Sequence, residues 1–409
     1  MANRYVALLR FPGARTILFS GAVARLPVSM YALGLLLLVQ STTGSLTSAG
    51  LVAAAAAIGY AVAGPALGRL VDRYGPGRLL VTTAIVNMLT FAMVILLAKA
   101  PIFMLSCCAL LIGATLPPVA ACQRALWRRV LPAELVDTAF ALDSICMDVY
   151  LIAGPLLVTG LVVVAGPAIA LAVTGLVLAV GSLFFATVPG NQVVRVARRD
   201  PHLLGPLREP GFRLLVGTIA AAGLALGAVR VALVGYAEDG GDAALGGLLY
   251  AAIGIGSAAG GLWYGSRKWR GGVEIRYPVL LAAYAVCALP LLTGRWPLAM
   301  FLLGIITGLA LSPVTICEFA LVGRCAPSGT VAEAYAWATT ATFAGSALGN
   351  ALAGGLVDRV GWRAAIGLAV LALAIAAAAT AWRRDLFRPP KSPSPAPAQG
   401  PYENREEVS

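Results

Sequence analysis

Charged side chains inside long apolar stretches are the residues of this sequence best placed to do chemistry. Asp148, Glu318, Arg25 and Arg230 each lie within a hydrophobic run long enough to cross a bilayer. Because a charge in hydrocarbon is costly, each is a candidate for carrying a proton or holding a solute. A carboxyl withdrawn from water favours its protonated form, so Asp148, near the middle of its run, could carry a proton at neutral pH.

A counter-charge for Asp148 is present in the first apolar run. Arg25 lies at a similar depth in its own run and is the predicted counter-charge. A permanent ion pair that only fixes helix packing is the alternative interpretation. Asp143 lies five residues before Asp148, so the two occupy different faces of a helix. Asp143 and Arg124 lie near the end of their runs, and we expect both at the membrane interface.

Glu318 and Arg230 have more than one interpretation. Glu318 lies closer to the end of its run than Asp148, so a gating or salt-bridge role is as consistent with the sequence as proton binding. Arg230 could extend its long side chain to the interface. The single histidine, His202, lies in a hydrophilic segment, where it could not relay protons across a membrane.

The elements that position these residues are membrane-spanning helices. Hydrophobic residues make up 59% of the 409 residues and charged residues 12%, and the mean hydropathy is +0.86. Since a span needs about 20 apolar residues, the sequence predicts an all-α integral membrane protein with twelve spans. They cover residues 16–39, 46–70, 78–98, 101–123, 137–164, 167–188, 212–236, 244–265, 276–294, 297–321, 331–356 and 362–382.

The spans divide into two groups of six. Residues 1–188 form a predicted N-terminal six-helix bundle, 189–211 a cytoplasmic linker, 212–388 a C-terminal six-helix bundle, and the Pro-rich segment 389–409 a disordered cytoplasmic tail. Most Lys and Arg fall on the side of the N-terminus, which predicts a multi-pass protein of the bacterial inner membrane with both termini cytoplasmic. The net charge of +12 therefore indicates contact with anionic lipid, not with nucleic acid.

An internal repeat relates the two groups. When residues 113–141 are laid on 308–336, twelve of the 29 positions are identical, including Gly113/Gly308 and Pro118/Pro313. The same offset of 195 continues through Gly154/Gly349, Gly160/Gly355 and Gly166/Gly361. Because equivalent spans cross in the same direction, the repeat is parallel. Two parallel halves around a central site are typical of transporters. Pro117-Pro118 and Pro313 predict kinks in spans 4 and 10.

The loop between spans 2 and 3 carries a family resemblance. Its sequence, GRLVDRYGPGR (68–78), resembles the G-x-x-x-D-R-x-G-R-[RK] signature of the major facilitator superfamily. The resemblance implies two pseudo-symmetric six-helix bundles, and a conformational latch in which this loop packs against span 11. The latch residues that it implies are Gly68, Asp72, Arg73, Gly75 and Arg78. The second-half equivalent has Trp269 where the aspartate should be, and GGLVDRVG (354–361) imitates the signature on the other side of the membrane.

The segments RLPVSM (25–30) in span 1, LPPVAA (116–121) in span 4 and EAYAWATT (333–340) entering span 11 carry a narrower resemblance, to bacterial drug and metabolite exporters of the drug:proton antiporter type. The resemblance implies a secondary transporter that exports a small amphiphilic molecule by alternating access, driven by the proton gradient without another cofactor, as a monomer. It also implies that spans 1, 4, 7 and 10 line the cavity, with Arg25, Tyr31, Gln123, Arg230 and Glu318 as lining candidates. The antiporter motif of span 5 survives only as Gly154-Pro155, and the arginine motif of span 4 is not evident.

The sequence is also compatible with two other functions. Proton-coupled uptake of a small metabolite would use the same motifs, and a membrane sensor without transport activity would use the same fold. An enzyme is not expected, because one histidine and scattered cysteines do not form a catalytic or metal-binding cluster. A nucleotide-driven pump would need a phosphate-binding loop of the G-x-x-x-x-G-K-[ST] type, which the sequence lacks.

Overall fold

The computed structural model describes residues 2–191, 205–240, 243–269, 271–327 and 329–387. Most of the predicted linker, His202 and the whole predicted tail lie outside these residues. The described part of the first half contains a short helix, α1 (Ala2–Arg10), followed by α2 (Ala14–Thr43), α3 (Leu46–Tyr74), α4 (Pro76–Leu96), α5 (Ile102–Ala114), α6 (Val119–Val130), α7 (Ala133–Ala165) and α8 (Pro167–Ala186). The second half contains α9 (Pro210–Asp239), α10 (Ala243–Gly265), α11 (Val273–Ala288), α12 (Pro297–Cys325), α13 (Val331–Val360) and α14 (Trp362–Trp382).

Ten spans among the described residues are long and apolar enough to cross a membrane. The prediction of an all-helical membrane protein is thus confirmed. Of the twelve predicted spans, ten meet this criterion among the described residues. The remaining two long helices of the described part, α10 and α13, lie in the same bundle, and both are rich in Gly and Ala. Small side chains of this kind let helices approach closely inside a membrane bundle.

The repeat seen in the sequence recurs in the structure. Gly113 packs on α3 so closely that an added Cβ would overlap the carbonyl oxygen of Ala56. Gly308 packs on α10 in the same way, against the carbonyl oxygen of Ile253. Gly166 and Gly361, also equivalent in the repeat, have φ angles of 84° and 102° and end α7 and α13. These left-handed turns favour glycine because a Cβ would be strained there.

Span 4 differs from its prediction, because it is broken rather than kinked. The chain leaves the helix after Ala114 and re-enters it at Val119, so α5 and α6 share one span. Pro117 and Pro118 remove two successive N–H donors, and each disfavours helical backbone in the residue before it. The amide of Asn87 in α4 donates to the carbonyl oxygen of Ile112 at 2.8 Å, which satisfies one carbonyl near the break. Pro313 has no such effect, and α12 runs through it without interruption.

The two halves meet at one end of the bundle, which we name the α1 face because α1 lies there. Thr138 of α7 donates to the carbonyl oxygen of Gly265 in α10 at 2.8 Å. The Tyr5 hydroxyl of α1 donates to the carbonyl oxygen of Gly261 at 3.2 Å. Like any tyrosine hydroxyl at neutral pH it is protonated and can donate, and burial raises the pKa of Tyr5 further, to about 12. These contacts close the α1 face on the α7–α10 side.

Candidate functional site

A buried cluster of charges joins α2, α6 and α7 near the break in span 4. The Arg25 guanidinium is ion-paired with the carboxylate of Asp143, and its Nη1 atom also donates to Gln123 Oε1 at 3.2 Å. Arg124 Nε donates to the other carboxylate oxygen of Asp143 at 3.0 Å. Gly21 permits this approach, because a Cβ there would overlap the Gln123 side chain. Two guanidinium groups therefore share one carboxylate.

Aromatic rings surround both arginines. The Arg124 guanidinium lies 3.8 Å from the ring centroid of Phe319 in α12, and Arg25 lies 5.6 Å from that of Tyr150 in α7. Cations are attracted to the faces of such rings. Arg124 Nη1 also donates to Thr339 Oγ1 in α13 at 3.3 Å. The cluster of the first half thus contacts two helices of the second half.

A cavity of about 160 Å³ lies beside this cluster, between the two halves. Arg25 and Arg124 are the charged side chains among its described lining residues. Much of the remaining wall is apolar or aromatic, with hydroxyl groups from both halves. These residues include Val28, Leu67, Leu116, Met147 and Leu151, the aromatic residues Tyr60, Tyr150 and Phe343, and the hydroxyl residues Ser29, Thr339 and Thr340. An apolar chamber with a few convergent polar groups is typical of a small-molecule site.

The predicted pair of Arg25 with Asp148 is wrong. Asp143 takes that place, because α2 packs against the face of α7 that carries Asp143. Five residues correspond to about 140° around a helix, so Asp148 points elsewhere. Its carboxyl lies beside the Ser257 hydroxyl of α10, and its Oδ2 atom is buried with no hydrogen-bond partner in the described structure. Asp148 therefore lies where the halves meet, outside the arginine cluster.

Asp143 and Arg124, predicted near the membrane interface, are both buried inside the bundle. Asp143 is 1% exposed and Arg124 is 3% exposed. The helices that carry them extend beyond the apolar runs, to Val130 in α6 and from Ala133 in α7. Their spacing of 19 residues across a loop gave no signal of contact. Only the tertiary packing brings them together.

The remaining lining candidates are dispersed. Glu318 in α12 is buried and accepts a hydrogen bond from the Tyr277 hydroxyl at 3.3 Å. Arg230 in α9 donates to the Tyr250 hydroxyl at 2.6 Å. Tyr31 packs in an apolar core of the first half. Gln123 contacts Arg25, but none of these four is among the described residues that line the cavity.

The predicted loop between spans 2 and 3 is mostly the helical end of α3, and it lies on the N-terminus of α13. The Asp72 carboxylate accepts hydrogen bonds from the backbone N–H groups of Ala332 at 3.0 Å and Glu333 at 2.8 Å. A carboxylate at the start of a helix satisfies free N–H groups and interacts favourably with the helix dipole. A Cβ on Gly68 would lie 2.7 Å from the Cα of Glu333, so glycine permits this close contact. Arg69 Nη2 pairs with Glu333 Oε1 at 2.7 Å.

The other predicted latch residues have simpler positions. Arg73 and Arg78 are exposed, and the Arg73 guanidinium lies 5.2 Å from the ring centroid of Tyr74. Gly75, with φ 87°, ends α3 and allows α4 to begin at Pro76. Arg69 is the residue that the sequence analysis missed. Its position one residue after Gly68 was a signal, but contact with Glu333 depends on how α3 and α13 pack.

This arrangement defines a class of protein: a multi-pass membrane carrier whose cavity lies between two related helical halves. The chain matches the family model of the Major Facilitator Superfamily over residues 17–272 and 215–406. It therefore belongs to that family, which is a family of secondary transporters. The resemblance seen in the loop between spans 2 and 3 is confirmed.

Known proteins agree with this assignment. The chain is 25% identical over 374 residues to the uncharacterized MFS-type transporter y4rN of Sinorhizobium fredii, covering 86% of this chain and 90% of that protein. Among solved structures, a bacterial homologue of the iron transporter ferroportin in an outward-facing state has a TM-score of 0.74 at 15% identity, with coverage of 90% and 98% of the two chains. The E. coli fucose:proton symporter FucP has a TM-score of 0.66 at 15% identity, with coverage of 90% and 98%. At these identities the likeness to solved structures shows the fold alone.

Proposed function

We propose that this secondary transporter exports a small amphiphilic molecule in exchange for protons, by alternating access. The observation that carries the proposal is the central cavity, which is largely apolar, contains few polar groups and has walls from both halves. Such a chamber suits a solute with an apolar body. We place the protein in the bacterial inner membrane as a monomer, with the α1 face towards the cytoplasm, on the distribution of Lys and Arg.

Rocking of the halves requires contacts that can open, and the α1 face supplies them. Asp72, Arg69 and Gly68 join α3 to α13, while Thr138 and Gly265 join α7 to α10. We assign the α3–α13 contact as the latch that holds this face closed. Gly75 supports it by ending α3, and the exposed Arg73 and Arg78 anchor the loop at the membrane surface.

Asp148 is the candidate that we favour for proton coupling. Its carboxyl lies beside Ser257 in the other half, and its Oδ2 atom is buried without a hydrogen-bond partner in the described structure. Uptake of a proton there would remove a negative charge from the boundary between the halves, where a change of charge can alter their packing. Glu318 is a second buried carboxyl, but its contact with Tyr277 lies within the second half.

Uptake remains a second candidate, because the same machinery can run in either direction with the gradients. One structural neighbour, FucP, is a fucose:proton symporter. A membrane sensor that does not transport is a third candidate. We retain export because of the resemblance to bacterial exporters.

The experiment has two stages. A bacterial strain with and without this protein is exposed to a panel of toxic compounds, and intracellular accumulation is measured. Export predicts that at least one compound accumulates more without the protein, and no difference for any compound would contradict it. A compound identified in this way is then followed in proteoliposomes with an imposed pH gradient.

In those proteoliposomes we expect Asp148→Asn to lose gradient-driven transport while keeping exchange of solute for solute. Asn cannot take up a proton, whereas the solute cavity is unchanged. Asp358→Asn, at the exposed far end of α13, is the matched control and should behave as the unsubstituted protein. Gradient-driven transport by Asp148→Asn at the control rate would remove Asp148 as the proton carrier.

A further inference from the structure

From the buried arginines we infer that the central cavity is an anion site, and that the transported solute carries a carboxylate or a similar oxyanion on an apolar body. This inference rests on the proposed function, because it names the chemical class of the solute that the cavity takes. It starts from Arg25 and Arg124, the two charged side chains among the described cavity-lining residues.

The balance of charge beside the cavity favours an anion. Arg25 is 5% exposed and Arg124 is 3% exposed, and the carboxylate of Asp143 pairs with both. Two positive charges thus share one negative charge. Glu318, the buried carboxyl of α12, interacts with the charge of Arg124 but is hydrogen-bonded by Tyr277 and by neither arginine. Positive charge that is only partly compensated in a membrane interior is costly, and an anion in the cavity would complete the compensation.

A guanidinium nitrogen without a hydrogen-bond acceptor also favours an anion in the cavity. Arg25 Nη2 is buried and has no hydrogen-bond partner in the described structure. A buried donor without an acceptor carries a desolvation cost, and a turn of the Arg25 side chain towards a ligand oxygen in the cavity would remove it. Because the guanidinium group presents its donors as a planar fork, it matches the two oxygens of a carboxylate or a phosphate.

The surroundings of the arginines suit an anion with an apolar body. Tyr60, Tyr150 and Phe343 line the same cavity and offer apolar surface to that body. Arg124 touches Thr339 in the second half, and Thr339 also lines the cavity. A solute anion at this point would therefore interact with both halves, which is where a transported solute can influence their equilibrium.

The test measures binding, and not transport, for the full-length protein in lipid nanodiscs. Three probes have the same apolar body and different head groups: phenylbutyrate, its neutral amide phenylbutanamide, and the cation phenylbutylamine. Thermal unfolding is followed at increasing probe concentration, because a ligand that binds the folded state raises the unfolding temperature. We expect phenylbutyrate to bind at least about tenfold more tightly than either other probe.

Two variants separate an anion site from a merely structural cluster. Arg25→Gln keeps Asp143 paired with Arg124, so the cluster becomes neutral and folding is retained, while preference for phenylbutyrate over the amide falls by about tenfold or more. Asp143→Asn removes the competing carboxylate, so we expect phenylbutyrate to bind more tightly than to the unsubstituted protein. Arg363→Gln removes an exposed arginine at the other face and is the control for total charge.

Two results would overturn the anion site: a carboxylate that binds the unsubstituted protein no more tightly than its amide, or an unchanged preference in Arg25→Gln. An increase in phenylbutyrate affinity for Asp143→Asn supports the site even if that variant is less stable without ligand. Failure here leaves export of a neutral or cationic solute open. Failure of the proposed function would appear instead as the absence of any solute flux in proteoliposomes.

Discussion

At the scale of single residues, Asp72 differs from its apparent copy in the sequence. Asp72 lies in an RLVDR context and Asp358 in a GLVDR context. Asp72 accepts hydrogen bonds from two N–H groups at the start of α13, whereas Asp358 is exposed in the last turn of the same helix. The negative end of the helix dipole lies at that last turn, so a carboxylate has no favourable role there.

We therefore predict that Asp72→Ala speeds hydrogen exchange at the amides of Ala332 and Glu333 by about fivefold. Loss of a helix cap costs about 1 kcal/mol, which corresponds to that factor. Exchange is followed by mass spectrometry of peptides that cover the start of α13. Asp358→Ala is the control, and equal exchange in the two variants would show that Asp72 does not hold this helix end.

The arginine cluster shows the limit of prediction from sequence at this scale. The cost of charge in hydrocarbon identified Arg25 and Asp148 as candidates, but not which carboxyl Arg25 contacts. That choice depends on the rotation of α7 about its axis, which all its neighbours decide together. Hydropathy placed Asp143 and Arg124 near the ends of apolar runs, but it could not show that helix packing buries both beside Arg25.

At the scale of helices, the sequence predicted most of what the structure contains. Hydropathy located the spans because a bilayer demands a long apolar helix whatever the fold. The repeat predicted equivalent glycines, and Gly113 and Gly308 pack in equivalent ways on α3 and α10. The break in span 4 was predicted only as a kink, since whether two prolines bend or interrupt a helix depends on partners such as Asn87.

This equivalence yields a prediction for the paired helices. Gly113→Ala and Gly308→Ala should each lower the free energy of unfolding by about 1–3 kcal/mol, because the added methyl group meets backbone of the neighbouring helix. Denaturation in mixed detergent micelles measures the change. Gly160→Ala is the control, since nothing lies within 4 Å of a Cβ at that exposed position. Equal stability of all three variants would contradict the close packing of α3 with α5 and of α10 with α12.

At the scale of the whole molecule, the contacts between halves close the α1 face. Gly68 lies against Ala332 and Glu333 of α13, and Thr340 donates to the carbonyl oxygen of Ala61 at 3.3 Å. Farther along, α13 packs on α9 of its own half, where Gly345 contacts the carbonyl oxygen of Ala220. Because α13 contacts different partners along its length, the halves can separate at the α1 face while α13 stays packed on α9 of its own half.

A bulky side chain at position 68 should therefore shift the equilibrium between the closed and open states of the α1 face. A leucine there cannot fit beside Glu333 in the closed state, since even a Cβ would lie 2.7 Å from the Cα of that residue. Overpacking of about 1–3 kcal/mol that acts only on the closed state favours opening by roughly 5- to 150-fold. Gly50→Leu, also in α3 but with nothing within 4 Å of its Cβ, is the matched control.

The measurement uses a reporter inside the cavity. Thr339→Cys is introduced into a chain whose seven native cysteines are replaced by serine, and a membrane-impermeant maleimide is added at the α1 face. Because Thr339 lines the cavity, labelling from this side requires the face to open. Gly68→Leu should be labelled several-fold faster than Gly50→Leu. If both are labelled equally slowly, the α3–α13 contact does not control access, and closure of this face must depend on the α7–α10 contacts instead.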